Sequence, residues 1–311
     1  MNCAVLLLVF NRPDKTAEVF ESVRAARPPR LYVSADGPRS DRPGESERCV
    51  AVREIVSKVD WPCELSTLFR EHNLGCKLGV SSGIGWFFEH ESEGIILEDD
   101  VLPEPGFFKY CDELLERYRD DDRVGAISGC NFLSGRLSMP ESYFFSRYCH
   151  IWGWATWRRN WKDYDAALPD WPAWDRAGGL ERIFADPAAA SYWRRAFGAV
   201  HRGEIDTWDY QWQFNLWRSG SLCAVPARNQ TSNLGFDGDA THTVSDMPAF
   251  ALNSPAGPLS FPLVHPDSVD RSEQADQLND RHVYGFSTTR KLKAEVMRLA
   301  RRIFPGTKAA G

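Results

Sequence analysis

The chain has 311 residues, 43% apolar and 26% charged, enough hydrophobic material for one large domain or two smaller ones around a real core. Thirty-seven basic against 43 acidic side chains give a formal charge of −6, which argues against a nucleic-acid binder. Eight scattered cysteines lack zinc spacing and no apolar run reaches membrane-spanning length, so the sequence reads as cytoplasmic, soluble or peripheral at the inner membrane surface.

Residues 4–10 predict a buried strand running straight into Asn11-Arg12-Pro13, without the basic start and small-residue cleavage site of a signal peptide. Pro13 suits the first turn of a helix, and Thr16, Val19, Phe20 and Val23 follow at three- and four-residue spacing. Residues 31–35 predict a second strand, ending in Asp36-Gly37-Pro38, a turn that leaves an acid at the strand's carboxyl end. Val52, Ile55, Val56 and Val59 mark a second helix, and residues 63–69 a third strand. A third helix over 77–90 is weakened by its glycines, and its small face at Ser81, Ser82 and Gly83 admits a close approach to the backbone. The apolar run Gly94-Ile95-Ile96-Leu97 then predicts a buried strand, followed by a helix over 105–119 and a strand over 124–128. Strands alternating with helices imply right-handed crossovers and a largely parallel sheet.

That apolar run ends in Glu98-Asp99-Asp100. Adjacent ionised carboxylates raise one another's pKa, and a hard divalent cation such as Mg²⁺ or Mn²⁺, carrying a diphosphate, relieves the repulsion. The plain alternative is a solvated turn before Pro103. In open α/β sheets ligands bind at the carboxyl ends of strands, the edge that Arg12, Asp36 and the acid triplet share. Such an edge suits a nucleotide: an acid for ribose hydroxyls, an arginine for phosphate or a base carbonyl, a metal for the diphosphate. No Gly-x-Gly-x-x-Gly follows the first strand and no Gly-Lys-Ser/Thr occurs, so neither a dinucleotide fold nor a phosphate-loop NTPase is supported.

Ten of the 12 tryptophans lie between Trp152 and Trp217, and Trp152, Trp154, Trp157 and Trp161 have helix-like spacing. Most are expected in the core, with a few serving as platforms for sugar rings. Pro169, Pro172, Gly178 and Gly179 suggest a looped insertion. In Glu204-Ile205-Asp206-Thr207-Trp208-Asp209, either aspartate can cap a helix over 210–218, a role compatible with taking a proton from a hydroxyl. After a strand over 222–225, residues 228–243 lack periodicity and read as a flap carrying His242. Residues 289–311 set seven basic residues against Glu295 alone, with Leu292, Val296, Leu299 and Ile303 on one side. This basic amphipathic helix either docks on the acidic body or makes a peripheral membrane contact.

Phe10-Asn11-Arg12, Ser34-Ala35-Asp36-Gly37 and the stretch from Ile95 through Glu98-Asp99-Asp100 to Phe108 resemble the donor half of a GT-A glycosyltransferase. The order is most similar to N-acetylglucosaminyltransferase I and its bacterial relatives in family 2, over roughly residues 4–243. The resemblance implies an α/β GT-A (nucleotide-diphospho-sugar transferase) fold, a mostly parallel central sheet flanked by helices, and inverting, metal-dependent transfer. Arg12 and Asp36 then meet uracil and ribose, Ser81 stands near the base, Glu98 holds the ribose, Asp100 ligates Mn²⁺ or Mg²⁺ and Asp99 supports it. Trp208-Asp209 matches the pair whose acid is the catalytic base, and His242 belongs to the loop over the donor. The implied partners are a nucleotide-sugar donor, UDP-linked, and a glycan or lipid-linked acceptor. Residues 1–128 form the donor half, 129–250 the acceptor and catalytic half with flap 228–243, and 251–311 a C-terminal extension. A sugar-nucleotide pyrophosphorylase, a glycosidase pairing Glu98 or Asp100 with Asp209, and a non-catalytic carbohydrate-binding protein stay open as alternatives.

Overall fold

The computed structural model describes residues 1–133, 135–236, 248–252 and 254–286, so His242 and the basic segment 289–311 lie outside the described residues. The first strand, β1 (Ala4–Val9), is buried throughout, with Val5 and Leu7 in one core cluster and Leu6 and Leu8 in another, as alternation across a strand requires. Helix α1 (Pro13–Ala26) starts on Pro13 and buries Thr16, Val19, Phe20 and Val23, the four positions picked out by spacing. The alternation continues through β2 (Arg30–Ala35), α2 (Glu45–Val56), β3 (Glu64–Phe69), α3 (Gly75–His90) and β4 (Glu93–Glu98). After the acids come β5 (Val101–Pro103), α4 (Pro105–Arg117), β6 (Val124–Ser128), β7 (Tyr143–Ser146) and β8 (Trp154–Trp157). Four helices follow, α5 (Arg158–Trp161), α6 (Trp171–Arg176), α7 (Gly179–Ile183) and α8 (Pro187–His201), and then α9 (Asp209–Ser219). The described chain closes with β9 (Leu222–Pro226), β10 (Thr231–Asn233), α10 (Ala249–Leu252) and α11 (Glu273–His282).

Eight strands form one sheet in the order β3-β2-β1-β4-β8-β6-β9-β7, flanked by helices on both faces, a mixed α/β architecture. Pairing is parallel from β3 to β4 and between β6 and β9; β8 runs antiparallel to β4 and β6, and β7 antiparallel to β9. The same sheet therefore runs through residues on either side of position 128. One face packs Phe20, Phe107, Tyr110 and Leu114 from α1 and α4. The other packs Phe87, Trp154, Trp161, Trp208 and Trp212, and truncating one such buried aromatic costs about 3–5 kcal/mol.

The tryptophan spacing misleads. Trp154 and Trp157 sit on β8, and three residues apart on a strand they enter opposite core clusters; only Trp161, on α5, is helical. The expected looped insertion is helical too. Pro172 lies in the first turn of α6, and Gly178, at φ 76°, starts α7. These helices gather Trp171, Trp193, Phe197, Phe214 and Trp217 into an aromatic cluster against α9. All eight cysteines are free thiols, six of them buried and Cys63 and Cys76 partly so.

The glycines of α3 have a structural purpose. A Cβ on Gly83 would lie 2.6 Å from Ser34 Oγ and 3.0 Å from Leu8 Cδ2, so the helix rests directly on the ends of β1 and β2. What approaches this small face is the sheet itself, and that contact fixes the wall of the cleft described next.

Candidate active site

At the carboxyl ends of β1, β2 and β4 lies an open cleft of about 550 Å³, within the usual size of small-molecule sites. Arg12, Asp36, Glu98, Asp99, Asp100, Trp208 and Asp209 all line it, joining acids from the first third of the chain to one a hundred residues later. Ser81 does not line it. Its hydroxyl donates to the Lys77 carbonyl at 2.6 Å on the buried side of α3, and Cys76, Gly79 and Val80 form the wall instead.

Register puts Leu8 of β1 beside Glu98, the last residue of β4, so the acids project just past the sheet edge. Phe10 N–H donates to Asp99 Oδ2 at 3.0 Å, and Arg12 Nη1 lies 2.6 Å from Asp100 Oδ2 and 3.6 Å from Asp99 Oδ1. Burial, then the fields of Asp100, Asp99 and Asp209, push Glu98 well above the ordinary carboxylate range, with Arg12 opposing. Burial and Asp100 likewise push Asp99 up, to about 7. Burial, then the surrounding acids beginning with Glu98 and Asp209, raises Cys76 to about 12, which keeps that thiol protonated and unfit as a nucleophile.

The acid corner is pinned from the far side of the sequence. Strand β10, inside the segment expected to be an unstructured flap, pairs antiparallel with β5, placing Asn233 beside Val101. Leu234 N–H donates to the Asp100 carbonyl at 2.7 Å. A Cβ on Gly235 would fall 2.3 Å from Asp100 Oδ2, so glycine is what lets this segment lie against the carboxylate.

Asp36 has a demanding structural duty. Its oxygens accept from Gly37 N–H at 2.9 Å, Leu74 N–H at 3.0 Å and Asn73 Nδ2 at 3.0 Å, tying the end of β2 to the loop that starts α3. Burial raises its pKa while those backbone donors lower it. Nearby, Glu45 is buried and accepts from Asn11 Nδ2 at 2.8 Å and Arg39 N–H at 2.7 Å, bracing the turn after β1.

Across the cleft, Asp209 is the first residue of α9, whose N-cap is Trp208; no side chain caps this helix, so neither Asp206 nor Asp209 has the capping role the sequence allowed. Asp209 Oδ1 accepts a hydrogen bond from the Thr207 hydroxyl. Trp208 itself is buried, its ring stacked on Trp154 at 5.7 Å between centroids, and it holds the start of α9 rigidly. Asp206 Oδ2 would stand 3.1 Å from a Cβ on Gly75, whose φ of +78° favours glycine.

The donor set at the triplet is oxygen only, which suits Mg²⁺ or Mn²⁺ over softer ions, and a cation there would relieve the mutual repulsion that raises Glu98 and Asp99. Among the described residues no three His, Cys, Asp or Glu side chains converge as a ready-made cage. Asn73, Asn233, Gly235, Phe236 and Arg39 also line the cleft and escaped the sequence reading. The only signals were turn chemistry at Asn73 and the Asn- and Gly-rich composition around 233–235. No described helix is long and apolar enough to cross a membrane.

No family model matches the sequence, and no curated protein is similar to it. Among solved structures, the chain is similar to S. aureus TarS 1–349 at 10% identity and a TM-score of 0.44, over 76% of this chain and 61% of that one. HddC from Yersinia pseudotuberculosis aligns over 52% of this chain and 80% of its own, at 11% identity and a TM-score of 0.32. The same protein complexed with GMP-PN gives 9% and 0.33. The chain thus spans 61% of the TarS structure. Identities this low with TM-scores below 0.5 assign neither family nor activity, and the functional reading rests on the cleft.

Proposed function

We propose that the protein is a GT-A glycosyltransferase moving a sugar from a nucleoside-diphosphate donor, UDP-linked by resemblance, to an acceptor hydroxyl with inversion. One observation carries the reading. A single cleft at the carboxyl edge of the sheet holds the acid triplet with Arg12 and, from a different part of the fold, Asp209, whose charge is felt at Glu98.

In this reading the donor's diphosphate lies beside Arg12, with Asp100 to hold the cation that would bridge it. Asp209, oriented by Thr207, accepts the proton of the acceptor hydroxyl as that oxygen bonds to the anomeric carbon. The bond from that carbon to the diphosphate oxygen breaks in the same step, and the electron pair leaves with the diphosphate. Arg12 meets that growing negative charge. A divalent cation bound by Asp100, with Asp99 in support, would supply further charge neutralisation on the diphosphate. Glu98, at the cleft end of β4, is placed to hydrogen-bond a ribose hydroxyl.

A second reading has its own support: Glu98, its pKa raised by burial and by the acids around it, lines the same cleft as Asp209, and two carboxyls in one cleft are what glycosidases use. Thermal unfolding with UDP, with and without Mn²⁺, separates the two, because a ligand bound only by the native state raises the midpoint. Metal-dependent stabilisation by UDP, followed by slow hydrolysis of a UDP-sugar, is the expected result. No shift with any nucleoside diphosphate would sink the transferase reading and favour hydrolysis.

A further inference from the structure

Beyond Asp209 a second cavity of about 220 Å³ opens, and Ile151, Trp152 and Asp209 line both it and the cleft. A molecule seated there reaches the same carboxylate as the donor's sugar. At this size, below the roughly 300–1,000 Å³ of drug-sized ligand sites, the cavity takes one ring rather than a chain.

Its wall is aromatic. Phe132 packs edge-on against Trp152 at 5.1 Å and Phe250 at 5.0 Å, while Trp193 meets Tyr210 at 5.8 Å and Tyr284 at 5.3 Å. Trp152, Tyr210, Phe250 and Tyr284 are only partly buried, so ring surface remains for a ligand. Trp193 Nε1 is buried without an acceptor among the described residues. Among the described residues the cavity's only acid is Asp209, and none is a lysine or arginine. His150, its Nε2 3.1 Å from Asn279 Oδ1, is held neutral by burial, its pKa pushed down to about 4. Nothing there favours a phosphate or carboxylate, whereas flat apolar faces with a few polar edges match the C–H face and hydroxyls of a neutral pyranose.

We propose that this aromatic cavity is the acceptor subsite, seating a neutral sugar ring against Trp152, Phe250 and Tyr284 with one hydroxyl at Asp209. The proposal rests on the glycosyl-transfer reading above. It adds what that reading lacks, the acceptor's chemical class and the residues that recognise it.

The test is saturation-transfer NMR on the full-length protein with UDP and Mn²⁺ present, using methyl glycosides of neutral pyranoses and their N-acetylated forms, with tetramethylammonium as competitor. The expected result is saturation of ring C–H protons in at least one glycoside, falling at least fivefold in Phe250→Ala and Tyr284→Ala while UDP binding, measured in parallel, is unchanged. UDP binding without glycoside saturation, or saturation that both variants retain, overturns the subsite and leaves the transferase reading standing. Displacement by tetramethylammonium at equal concentration overturns it in favour of a cage for a cation. Glycoside saturation in a protein that binds no UDP removes the acceptor role and the transferase reading together.

Discussion

Arg12 reaches from the turn after β1 to the end of β4, its Nη1 2.6 Å from Asp100 Oδ2. The guanidinium thereby holds a position beside the acids where a metal-bound diphosphate would compete for the same charge. Cation and anion are both mostly buried, so removing one partner leaves the other exposed to its like-charged neighbours.

Arg12→Met should therefore lower stability by up to about 3 kcal/mol in metal-free buffer. Mg²⁺ or Mn²⁺ should restore part of the loss, raising the melting midpoint more in the variant than in the wild type. Equal shifts in the two proteins, measured by scanning calorimetry, would show that removing Arg12 gives the ion no stronger hold on the acids.

Asp99 gives a pH dependence with a definite sign. Its folded-state pKa, about 7, lies above the ordinary 3.8, so between those values the folded protein holds a proton that the unfolded chain has released. This contribution is present at low pH and lost as pH rises toward 7. Asp99→Asn keeps an acceptor for Phe10 N–H and should flatten the decline, gaining at least about 1 kcal/mol above pH 7. For a chain of this size that is a rise of about 2–4 °C in midpoint. A parallel decline in both proteins from pH 5 to pH 8 would locate the titration elsewhere.

Asp209→Asn removes a proton acceptor without removing a helix cap, because Asp209 has no capping role. Turnover should fall at least about a hundredfold while nucleotide affinity and midpoint hold. Near-normal turnover would transfer the base role to Asp206, which lines the same cleft, whereas Glu204 is exposed and paired with Arg202.

Two glycines on α3 predict opposite outcomes. Alanine gains roughly 1 kcal/mol of helix propensity at either position. At Gly83 the new methyl meets Ser34 Oγ at 2.6 Å and Leu8 at 3.0 Å, and overpacking of about 1–3 kcal/mol should win. At Gly85 the nearest atom is 4.0 Å away, so Gly85→Ala should stabilise. Urea denaturation of the pair decides whether α3 rests on the sheet as closely as described.

Most of the first 128 residues were legible from buried runs for strands, three- and four-residue spacing for α1, and an acid or turn at strand ends; β5 went unread, and α2 stops at Val56, short of the Val59 the spacing included. Beyond them the signals conflict. Trp154 and Trp157 mimic helical spacing on a strand of four residues, too short for alternation to register. Pro172 and Gly178 look like breakers yet begin helices. The cleft's chemistry was readable as residue types at Glu98-Asp99-Asp100 and Asp209. Partnerships across 88 or more positions were not, among them Arg12 with Asp100 and β10 with β5, since they are set by packing rather than local pattern.

The placement of β8 has a consequence for how the chain is made. Strand β4, which ends in the acids, pairs on one side with β1 and on the other with residues 154–157. Until the ribosome has delivered those residues, β4 presents a bare hydrogen-bonding edge of Gly94, Ile95 and Ile96, the kind of apolar edge that recruits other chains. A nascent or truncated chain ending near residue 128 is therefore exposed to aggregation at the very strand that later presents the acids, and β8 protects that strand as it completes the sheet.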